Sequence, residues 1–428
     1  MEKSSQISGF HKLNLADRID VFKAFAELTD EEAALLGKSA VLGMETAQRM
    51  IENVVGTFEL PLGLVPNMRV NGRDLILPIA VEESSVVAAM ANAAKMVRSG
   101  GGFFASTSEP LMIAQIQCLD VSDPFAAKAR ILERKDEAIR LCNEQDPILV
   151  KLGGGCRDVE VRVLDTVKGP MVITHIIVDT RDAMGANAVN TMAEALAPSI
   201  EEWTGGRVLL RILSNLADRR IARARCIVRK DAIKPGPEVV DGILQAWAFA
   251  DADPYRAATH NKGIMNGISA LVIATGNDFR AIEAGAHAYA AQSGHYRSLT
   301  KWEANADGDL VGSIEMPLAM GLVGGATAIH PMAKLVVKSL KLRGATELAE
   351  ITAAAGLCQN LAALRALSAE GIQRGHMSLH AKNIAIQAGA GGAEIEEVAD
   401  RLIKGGKVRA DIAEAILNEL RKAHGAGN

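Results

Sequence analysis

The chain has 428 residues and a net charge of −4, from 47 Lys and Arg against 51 Asp and Glu. Its length allows two or three domains with a large buried core, because domains usually run about 100–200 residues. Without surplus positive charge, nucleic acid and anionic membranes are not expected partners.

The cysteines and the apolar runs predict a protein of the reducing cytoplasm. The five cysteines are odd in number, scattered and free of any Cys-x-x-Cys pair: Cys118, Cys142, Cys156, Cys226 and Cys358. This pattern argues against a disulfide scaffold and against a zinc site. The N-terminal string mixes charges before any apolar stretch, and apolar runs elsewhere are short, so neither a signal peptide nor a transmembrane helix is expected.

The N-terminal part of the chain alternates helical and strand patterns. Residues 17–50 carry apolar positions at intervals of three and four, which predicts helices joined at an N-cap at Thr29-Asp30. Residues 58–81 show short apolar bursts broken by Pro and Asn-Gly, and the string VNGRDLILPIAV predicts a hairpin. An Ala-rich helix is predicted over 84–98, where three glycines end it.

The next part of the chain has the element order of a split, ferredoxin-like unit, β-α-β-β-α-β. The predicted elements are a strand at 112–119, a helix at 124–143, strands at 159–164 and 170–179, a helix at 186–203 and a strand at 208–213.

The remainder of the chain is predicted to be largely helical. Helices are expected at 238–250, 276–293, 335–340 and 346–367, and then at 379–388, at 393–404 and up to 423. The expected fold is therefore α+β: a mostly helical large domain (1–108 and 222–373) interrupted by a ferredoxin-like small domain (109–221), with a C-terminal helical flap (374–428).

Two polar strings carry groups suited to proton transfer. Glu82-Glu83-Ser84-Ser85 stands where a strand meets a helix, so it either caps the helix or holds a ligand while a carboxyl faces a cleft. The string THNKG is expected to place Lys262 in a polar loop before an apolar helix. A lysine there stabilises an oxyanion, or it is an ordinary solvated side chain.

Two further strings stand before predicted helices. Asp278 follows a strand-like run at 271–274; it is either an N-cap or, if buried beside a lysine, a group whose pKa the lysine tunes. In DAMGAN, Gly185 lets the backbone approach a pyrophosphate at a helix N-terminus, or it serves a tight turn; Gly153, Gly154 and Gly155 allow the same two interpretations.

His376 and His380 are spaced i, i+4, which places them on one face of a helix. The rest of a zinc motif is absent nearby, so no metal is expected. A single histidine with a pKa near neutrality suits protonation of a leaving thiolate.

Several ordered strings together resemble the class II (bacterial, soluble) 3-hydroxy-3-methylglutaryl-coenzyme A (HMG-CoA) reductase family. They are ENVVG at 52–56, DTRDAMGANAVNTMAEA, RILSNLAD, DPYRAATHNKGIMNGI, VGGATAIHP and GHM at 375–377. The resemblance covers almost the whole chain. It implies that Glu83, Lys262, Asp278 and His376 are catalytic, in an α+β fold whose small domain binds the nicotinamide cofactor.

The resemblance also implies a reaction, the reduction of HMG-CoA through a hemithioacetal and mevaldehyde to mevalonate and coenzyme A (CoA). Lys262 would oppose charge on the carbonyl oxygen, Glu83 would exchange a proton with it and Asp278 would couple the two. His376, on a mobile flap, would protonate the departing CoA thiolate.

The same resemblance assigns binding residues. Ser85, Arg256 and Asn266 would bind substrate, with Arg256 pairing with its carboxylate. The cofactor would contact the residues of the DAMGAN and SNLAD strings, Asp182, Gly185, Asn187 and Asn215. Asp146 stands where cofactor choice is made in relatives, and its carboxylate predicts NADH/NAD+ over NADPH because it accepts from ribose hydroxyls and repels a 2′-phosphate.

The family further implies a homodimer or larger homo-oligomer with the active site between subunits. Two other functions remain open from the residues. An acylating aldehyde dehydrogenase needs a nucleophilic cysteine, for which Cys156 is the candidate. A regulatory protein would bind the nucleotide and CoA without turnover.

Overall fold

Two β-sheets, interleaved along the chain, organise the molecule. The computed structural model describes residues 4–369 and 372–425, with the side chains of all of these except 372–379 and 423–425. The strands are Leu62–Val70 (β1), Arg73–Ala80 (β2), Phe103–Thr107 (β3), Leu111–Leu119 (β4), Gly155–Thr166 (β5), Gly169–Asp179 (β6), Arg207–Ser214 (β7), Ile221–Val228 (β8), Thr300–Ala304 (β9) and Leu310–Pro317 (β10).

Helices cover both sheets and form most of the remaining structure. They are Leu15–Ala26 (α1), Asp30–Ala33 (α2), Met44–Met50 (α3), Val86–Val97 (α4), Pro124–Glu133 (α5), Lys135–Asn143 (α6), Pro147–Lys151 (α7), Ala186–Thr204 (α8), Glu238–Ala252 (α9), Pro254–Ala274 (α10), Phe279–Ala290 (α11), Gly325–Ile329 (α12), Pro331–Ser339 (α13), Ala345–Ala369 (α14), Ile372–Gln387 (α15), Ala393–Lys404 (α16) and Ala410–Gly425 (α17). Within the described residues, no helix has the length and apolarity to cross a bilayer.

The larger sheet has the strand order β2-β1-β3-β8-β10-β9. Its β1–β2 hairpin, predicted from the sequence, is confirmed, and both turn residues have positive φ angles, 48° at Asn71 and 81° at Gly72. The long helix α14 packs against this sheet and against α4, α9 and α10. α14 is buried along most of its length, including polar residues such as Asn360, and it forms the centre of the large domain.

The smaller sheet has the order β5-β6-β4-β7 and is fully antiparallel. With α5, α6 and α8 on the chain between its strands, it confirms the predicted ferredoxin-like unit. The single helix predicted over 124–143 is interrupted, because Arg134 leaves helical geometry at φ −106° and ψ 22° and its guanidinium lies 5.8 Å from the ring centroid of Trp203. The short helix α7 was not predicted.

The prediction that Lys262 lies in a loop is wrong, because THNKG belongs to helix α10. Asp253 caps this helix, Pro254 occupies its first turn and buried residues such as Ile264 and Ile268 face the core. The polar string spans two faces of that helix, since Thr259 and Lys262 are exposed whereas His260 and Asn261 are buried, so its polarity did not signal a loop. The strand-like run 271–274 is the last turn of the same helix.

Helices lie near both ends of the described part of the chain, as expected. Thr29 caps α2 in a capping box with Glu32. Helices α15, α16 and α17 pack around a core of their own that includes Ala381, Leu402 and Leu417. This agrees with the predicted C-terminal helical flap.

Candidate active site

A lysine and a glutamate from distant parts of the chain meet at the surface of the large domain. Glu83 follows β2 and precedes α4, whereas Lys262 stands in the middle of α10. Lys262 Nζ donates to Glu83 Oε2 at 2.5 Å, and Asn266 Nδ2 donates to the same oxygen at 3.3 Å. Lys262 and Asn266 are four residues apart, so they share one face of the helix. The side chains of Lys262 and Glu83 are 61% and 37% exposed, which leaves the ion pair open to a ligand.

Glu83 and Ser85 line an open cleft of about 1630 Å³. Its other walls come from the N-terminal segment, including His11, from the turn at Gly276 and from the start of α13. Drug-sized ligand pockets occupy roughly 300–1,000 Å³. The cleft therefore has room for a larger ligand with extended polar and apolar parts.

Ser85 precedes the first residue of α4 but does not cap it. Its backbone is left-handed, at φ 74°, and its side chain makes no capping hydrogen bond. The Ser85 hydroxyl oxygen is buried and has no hydrogen-bond partner in the described structure. Buried hydroxyls are nearly always satisfied, so a ligand oxygen is a natural partner, and helix capping does not account for this serine.

Asp278 is the N-cap of α11. Its Oδ1 accepts from the backbone N–H groups of Arg280 and Ala281 at 3.0 and 3.1 Å, and Arg280 Nη2 lies 3.1 Å from the same atom. Among the described contacts, the carboxylate is paired with Arg280 and not with Lys262. The capping interpretation is thus confirmed, and the coupling of Asp278 to Lys262 stays a prediction.

Arg256 lies half-buried in the first turn of α10. Burial lowers the pKa of its guanidinium. No carboxylate of the described residues forms an ion pair with Arg256, so its charge is available to an anionic ligand.

A buried polar network holds the inner side of α10. His260 Nε2 lies 3.0 Å from Thr300 Oγ1, 2.8 Å from Ser298 Oγ and 3.1 Å from Asn360 Nδ2. Trp302 Nε1 donates to Asn360 Oδ1 at 2.8 Å. Desolvation, together with the nearby charge of Arg256, lowers the pKa of His260 to about 4. The network fixes the rotation of α10 and hence the direction of Lys262.

A second group of predicted residues gathers at one end of the small sheet. The register places Asp179, where β6 ends, opposite Leu111 and Gly155, where β4 and β5 begin. β7 ends nearby, since Ser214 pairs with Ile113. The DAMGAN turn after β6 and Asn215 after β7 therefore lie at the same end of the sheet. Asp146 caps α7, which leads into the glycine turn before β5.

The N-terminus of α8 suits an anionic group. Gly185 stands before the first residue of α8 at φ 101°, and no side chain caps the helix, so its first N–H groups are free for a phosphate. Glycine is needed here, because a Cβ would lie 2.4 Å from Thr180 Cγ2. Asn187, in the first turn, is exposed, as is Asn215. These features fit the phosphate bridge of a dinucleotide.

Two of the predicted cofactor residues make contacts of their own. Asp182 Oδ1 accepts from the backbone N–H of Ala345 at 2.7 Å and so holds the start of α14. Asp146 Oδ1 accepts from the backbone N–H of Leu149 at 2.9 Å. In each carboxylate one oxygen is thereby engaged, and the second has capacity to accept from a ligand hydroxyl.

His376 belongs to α15, but its side chain lies outside the described residues. Within the described part of the chain, no three His, Cys, Asp or Glu side chains are grouped to hold a metal. The five cysteines are free thiols and all are buried, with Cys156 only 3% exposed. None of the five cysteines therefore presents a thiol to the cleft for nucleophilic attack.

Lys95 and His330 also line the cleft, and no role was predicted for either from the sequence. His330 caps α13, its Nδ1 accepting from the backbone N–H of Met332 at 3.1 Å, and burial lowers its pKa. The His-Pro pair at the start of α13 is a signal that sequence reasoning can use, because Pro is favoured in the first helical turn.

Comparison with known families and proteins gives one consistent result. The family model described as hydroxymethylglutaryl-coenzyme A reductase matches residues 14–381. A 3-hydroxy-3-methylglutaryl-coenzyme A reductase of Archaeoglobus fulgidus is 57% identical over 419 residues, covering 98% of this chain and 95% of that protein. A probable reductase of the same name from Borreliella burgdorferi is 38% identical over 342 residues, covering 78% and 77%.

Solved structures are similar over nearly the whole chain. The class II 3-hydroxy-3-methylglutaryl-CoA reductase from Streptococcus pneumoniae, bound to NADPH in open conformations, superposes with a TM-score of 0.81 at 42% sequence identity. The match covers 96% of this chain and 100% of that one.

Proposed function

The chain belongs to the hydroxymethylglutaryl-coenzyme A reductase family as a class II member, and we propose that it interconverts HMG-CoA with mevalonate and free CoA, using two NADH/NAD+. Its general activity, that of an HMG-CoA reductase, follows from the family. The observation that supports the detailed proposal best is the Lys262–Glu83 ion pair beside the open cleft, with Nζ 2.5 Å from Oε2.

Lys262 and Glu83 would act together on the carbonyl oxygen of the thioester. An ammonium beside this oxygen stabilises the negative charge that develops when the carbon is reduced. Glu83, in hydrogen-bond contact with Lys262, is placed to exchange a proton with the oxygen through that contact or directly. When bound, the reduced nicotinamide supplies the hydride. Addition of this hydride and a proton would convert the thioester to a hemithioacetal, and loss of the CoA thiolate would give the aldehyde. Addition of a second hydride, from a second dinucleotide, and a proton would then reduce the aldehyde to the alcohol of mevalonate.

Asp278 and His376 would complete the proton transfers. Asp278 lies beyond the C-terminal end of α10 and is paired with Arg280, so it would have to leave that pairing to couple to Lys262. His376 would protonate the CoA thiolate as it leaves the hemithioacetal, mevaldyl-CoA. Closure of the C-terminal flap would exclude water from the resulting aldehyde.

Substrate binding would use groups that lack protein partners. The buried Ser85 hydroxyl is unpaired, and Arg256 carries no ion pair within the described structure. The guanidinium suits the free carboxylate of the substrate, and Asn266 beside Glu83 would orient the reacting oxygen.

The nicotinamide dinucleotide would bind at the end of the small sheet. The uncapped N-terminus of α8 would receive its phosphates, Asn187 and Asn215 would donate to it, and Asp182 would accept from it. Asp146 would accept from the adenosine ribose, which favours NADH over NADPH. The pneumococcal relative is described with NADPH, so cofactor choice in this chain is to be measured directly.

The active enzyme would be a homodimer that brings cofactor and substrate sites of two subunits together. The ENVVG segment supports this: Val55 is 99% exposed and the nearby Phe58 is 93% exposed, as expected of a surface covered by a second copy. Val55→Asp should yield monomers in light scattering after gel filtration. Val167, equally exposed in the β5–β6 turn, provides the control Val167→Asp, which should stay dimeric. A monomeric wild-type protein would contradict the proposal.

The domain division at 1–108, 109–221, 222–373 and 374–428 belongs to the same proposal. It is supported by the strand order, because β4 to β7 form the small sheet while β1 to β3 and β8 to β10 form the large one. The five free thiols favour work in the reducing cytoplasm.

The test is a spectrophotometric assay at the nicotinamide absorbance band. HMG-CoA should cause oxidation of the reduced dinucleotide, with two dinucleotides consumed for each CoA thiol released. Cys156→Ala should keep this activity. Absence of any HMG-CoA-dependent oxidation with either NADH or NADPH would reject the function, and near-complete loss in Cys156→Ala would favour the thiol-dependent alternative.

A further inference from the structure

Arg220 carries a buried guanidinium whose partners are backbone carbonyl groups and one hydroxyl, not a carboxylate. It lies just before β8 and is 5% exposed. Its Nη1 donates to Thr180 Oγ1 at 3.0 Å and to the carbonyl oxygens of Ala183 and Met184 at 3.0 and 3.2 Å. Its Nη2 donates to the Met320 carbonyl at 2.5 Å. Burying a cation is costly, and only the planar, five-donor fork of arginine can satisfy acceptors on both sides at once.

The segment 318–323, here called the strap, lies between the DAMGAN turn and the turn that carries Asn277 and Asp278. On one side, Leu322 N donates to the Asp182 carbonyl at 2.8 Å, and Ala183 pairs with Val323 in an isolated bridge. On the other side, Gly321 N donates to Asn277 Oδ1 at 2.7 Å. The strap therefore touches the cofactor turn and the residue next to Asp278.

The packing between the strap and the cofactor turn leaves no spare room. A Cβ on Gly321 would lie 2.6 Å from the backbone nitrogen of Met184. Arg220 spans the same contact, since it binds Met184 and Ala183 on the turn and Met320 on the strap. Any displacement of the turn from the large domain must break these hydrogen bonds.

We propose that Arg220 is a positioning residue: together with the strap it fixes the DAMGAN turn, and thus the nicotinamide dinucleotide, relative to the turn that carries Asp278. The inference rests on the proposed function: in the proposed dimer the dinucleotide held by one subunit meets the substrate held by the other, so the placement of the cofactor turn on its own large domain sets the distance between hydride donor and thioester. Productive transfer requires the reacting atoms to be held about 3–3.5 Å apart. Arg220 itself touches neither substrate nor cofactor in this account.

The test compares Arg220→Lys and Arg220→Met with the wild-type dimer. Lysine keeps the charge but cannot reach both sides, and methionine leaves the carbonyls of Ala183 and Met320 without their donor. In both variants kcat/KM for the dinucleotide should fall about tenfold to a hundredfold, as expected for a misplacement of about 1 Å. The Kd for CoA should stay unchanged. The isotope effect on kcat with dinucleotide deuterated at nicotinamide C4 should rise, because hydride transfer becomes slower than the other steps.

Arg223→Gln is the matched control. Arg223 lies on the same strand, β8, but is exposed and pairs with Glu315. It should leave kcat, KM and the isotope effect at wild-type values. A merely structural role for Arg220 would lower activity in proportion to the folded fraction, with unchanged KM and isotope effect, and this result would overturn the inference.

If the Arg220 variants do not fold, Asn277→Ala tests the other end of the strap. It removes the acceptor of Gly321 N while leaving Arg220 intact. The isotope effect should again rise while CoA binding is retained; wild-type kinetics in this variant would reject the inference. A wild-type protein without activity would instead refute the proposed function, so the two failures are distinguishable.

Discussion

The substitution Lys262→Ala separates the catalytic role of this lysine from any structural one. The two side chains of the Lys262–Glu83 pair are 61% and 37% exposed. Exposed ion pairs contribute about 0–1 kcal/mol to folding. Removing a group that stabilises an oxyanion costs about 2.7–4 kcal/mol in the transition state, which is a factor of about 10²–10³ in kcat. We therefore expect a nearly unchanged melting temperature and an almost complete loss of turnover.

The assay measures kcat at saturating HMG-CoA and the thermal unfolding midpoint of the same preparation. Lys338→Ala is the matched control, because Lys338 pairs with Glu32 at similar exposure outside the site. It should show the same small change in stability and full activity. Wild-type kcat in Lys262→Ala would refute the role, and equal losses of activity in both variants would assign the effect to surface charge.

Three further predictions follow from single groups. His376→Ala should lose reduction of HMG-CoA but retain reduction of added mevaldehyde, since no thiolate departs in that step; equal loss of both activities would contradict its role. The ratio of kcat/KM for NADH to that for NADPH should exceed one. Asp146→Ala should shift this ratio towards NADPH by about tenfold, which is about 1.4 kcal/mol, while the control Glu144→Ala should leave it unchanged. A wild-type preference for NADPH would reject the role of Asp146. Burial lowers the pKa of His260 to about 4 in the folded protein, whereas the ordinary value in the unfolded chain is about 6.5. Between these two pH values the histidine is therefore protonated only in the unfolded chain. The free energy of unfolding is thus fully retained above pH 6.5 and falls by up to about 3 kcal/mol as the pH drops towards 4, and His260→Gln should flatten this slope in denaturant titrations.

The small domain could be predicted from sequence because its signals are local. In its strands apolar and polar residues alternate, or apolar residues follow one another, over five or more positions. Glycines or prolines mark the ends of these strands and separate them from the helices. The register then follows from the ferredoxin-like order. Within this unit, only the break at Arg134 and the short α7 were missed, and both depend on packing against neighbouring elements.

The larger sheet and the environment of Lys262 could not be predicted in the same way. β3 pairs with β8 across more than a hundred residues of intervening chain, and no local pattern specifies that pairing. Helix α10 carries polar residues on its exposed face and also in the buried network on its inner side. The string THNKG is therefore polar throughout, as a loop would be, which is why a loop was predicted. The roles of His260 and Arg220 depend on acceptors brought by distant segments, Asn360 and Met320.

The proposed catalytic residues come from the resemblance to a family and not from periodicity. Three of the predicted site residues are in direct contact in the structure, since Lys262 and Asn266 both donate to one carboxylate oxygen of Glu83. Asp278 is held by Arg280 and by the start of α11, beyond the C-terminal end of α10, so the described chain does not bring it to Lys262.

A crystal structure of the dimer with HMG-CoA bound tests the central claim most directly. The account predicts that Lys262 Nζ lies within hydrogen-bond distance, about 3 Å, of the thioester carbonyl oxygen, with Glu83 in contact with one of them. A thioester bound elsewhere in the cleft, with Lys262 still directed only at Glu83 and solvent, would contradict it.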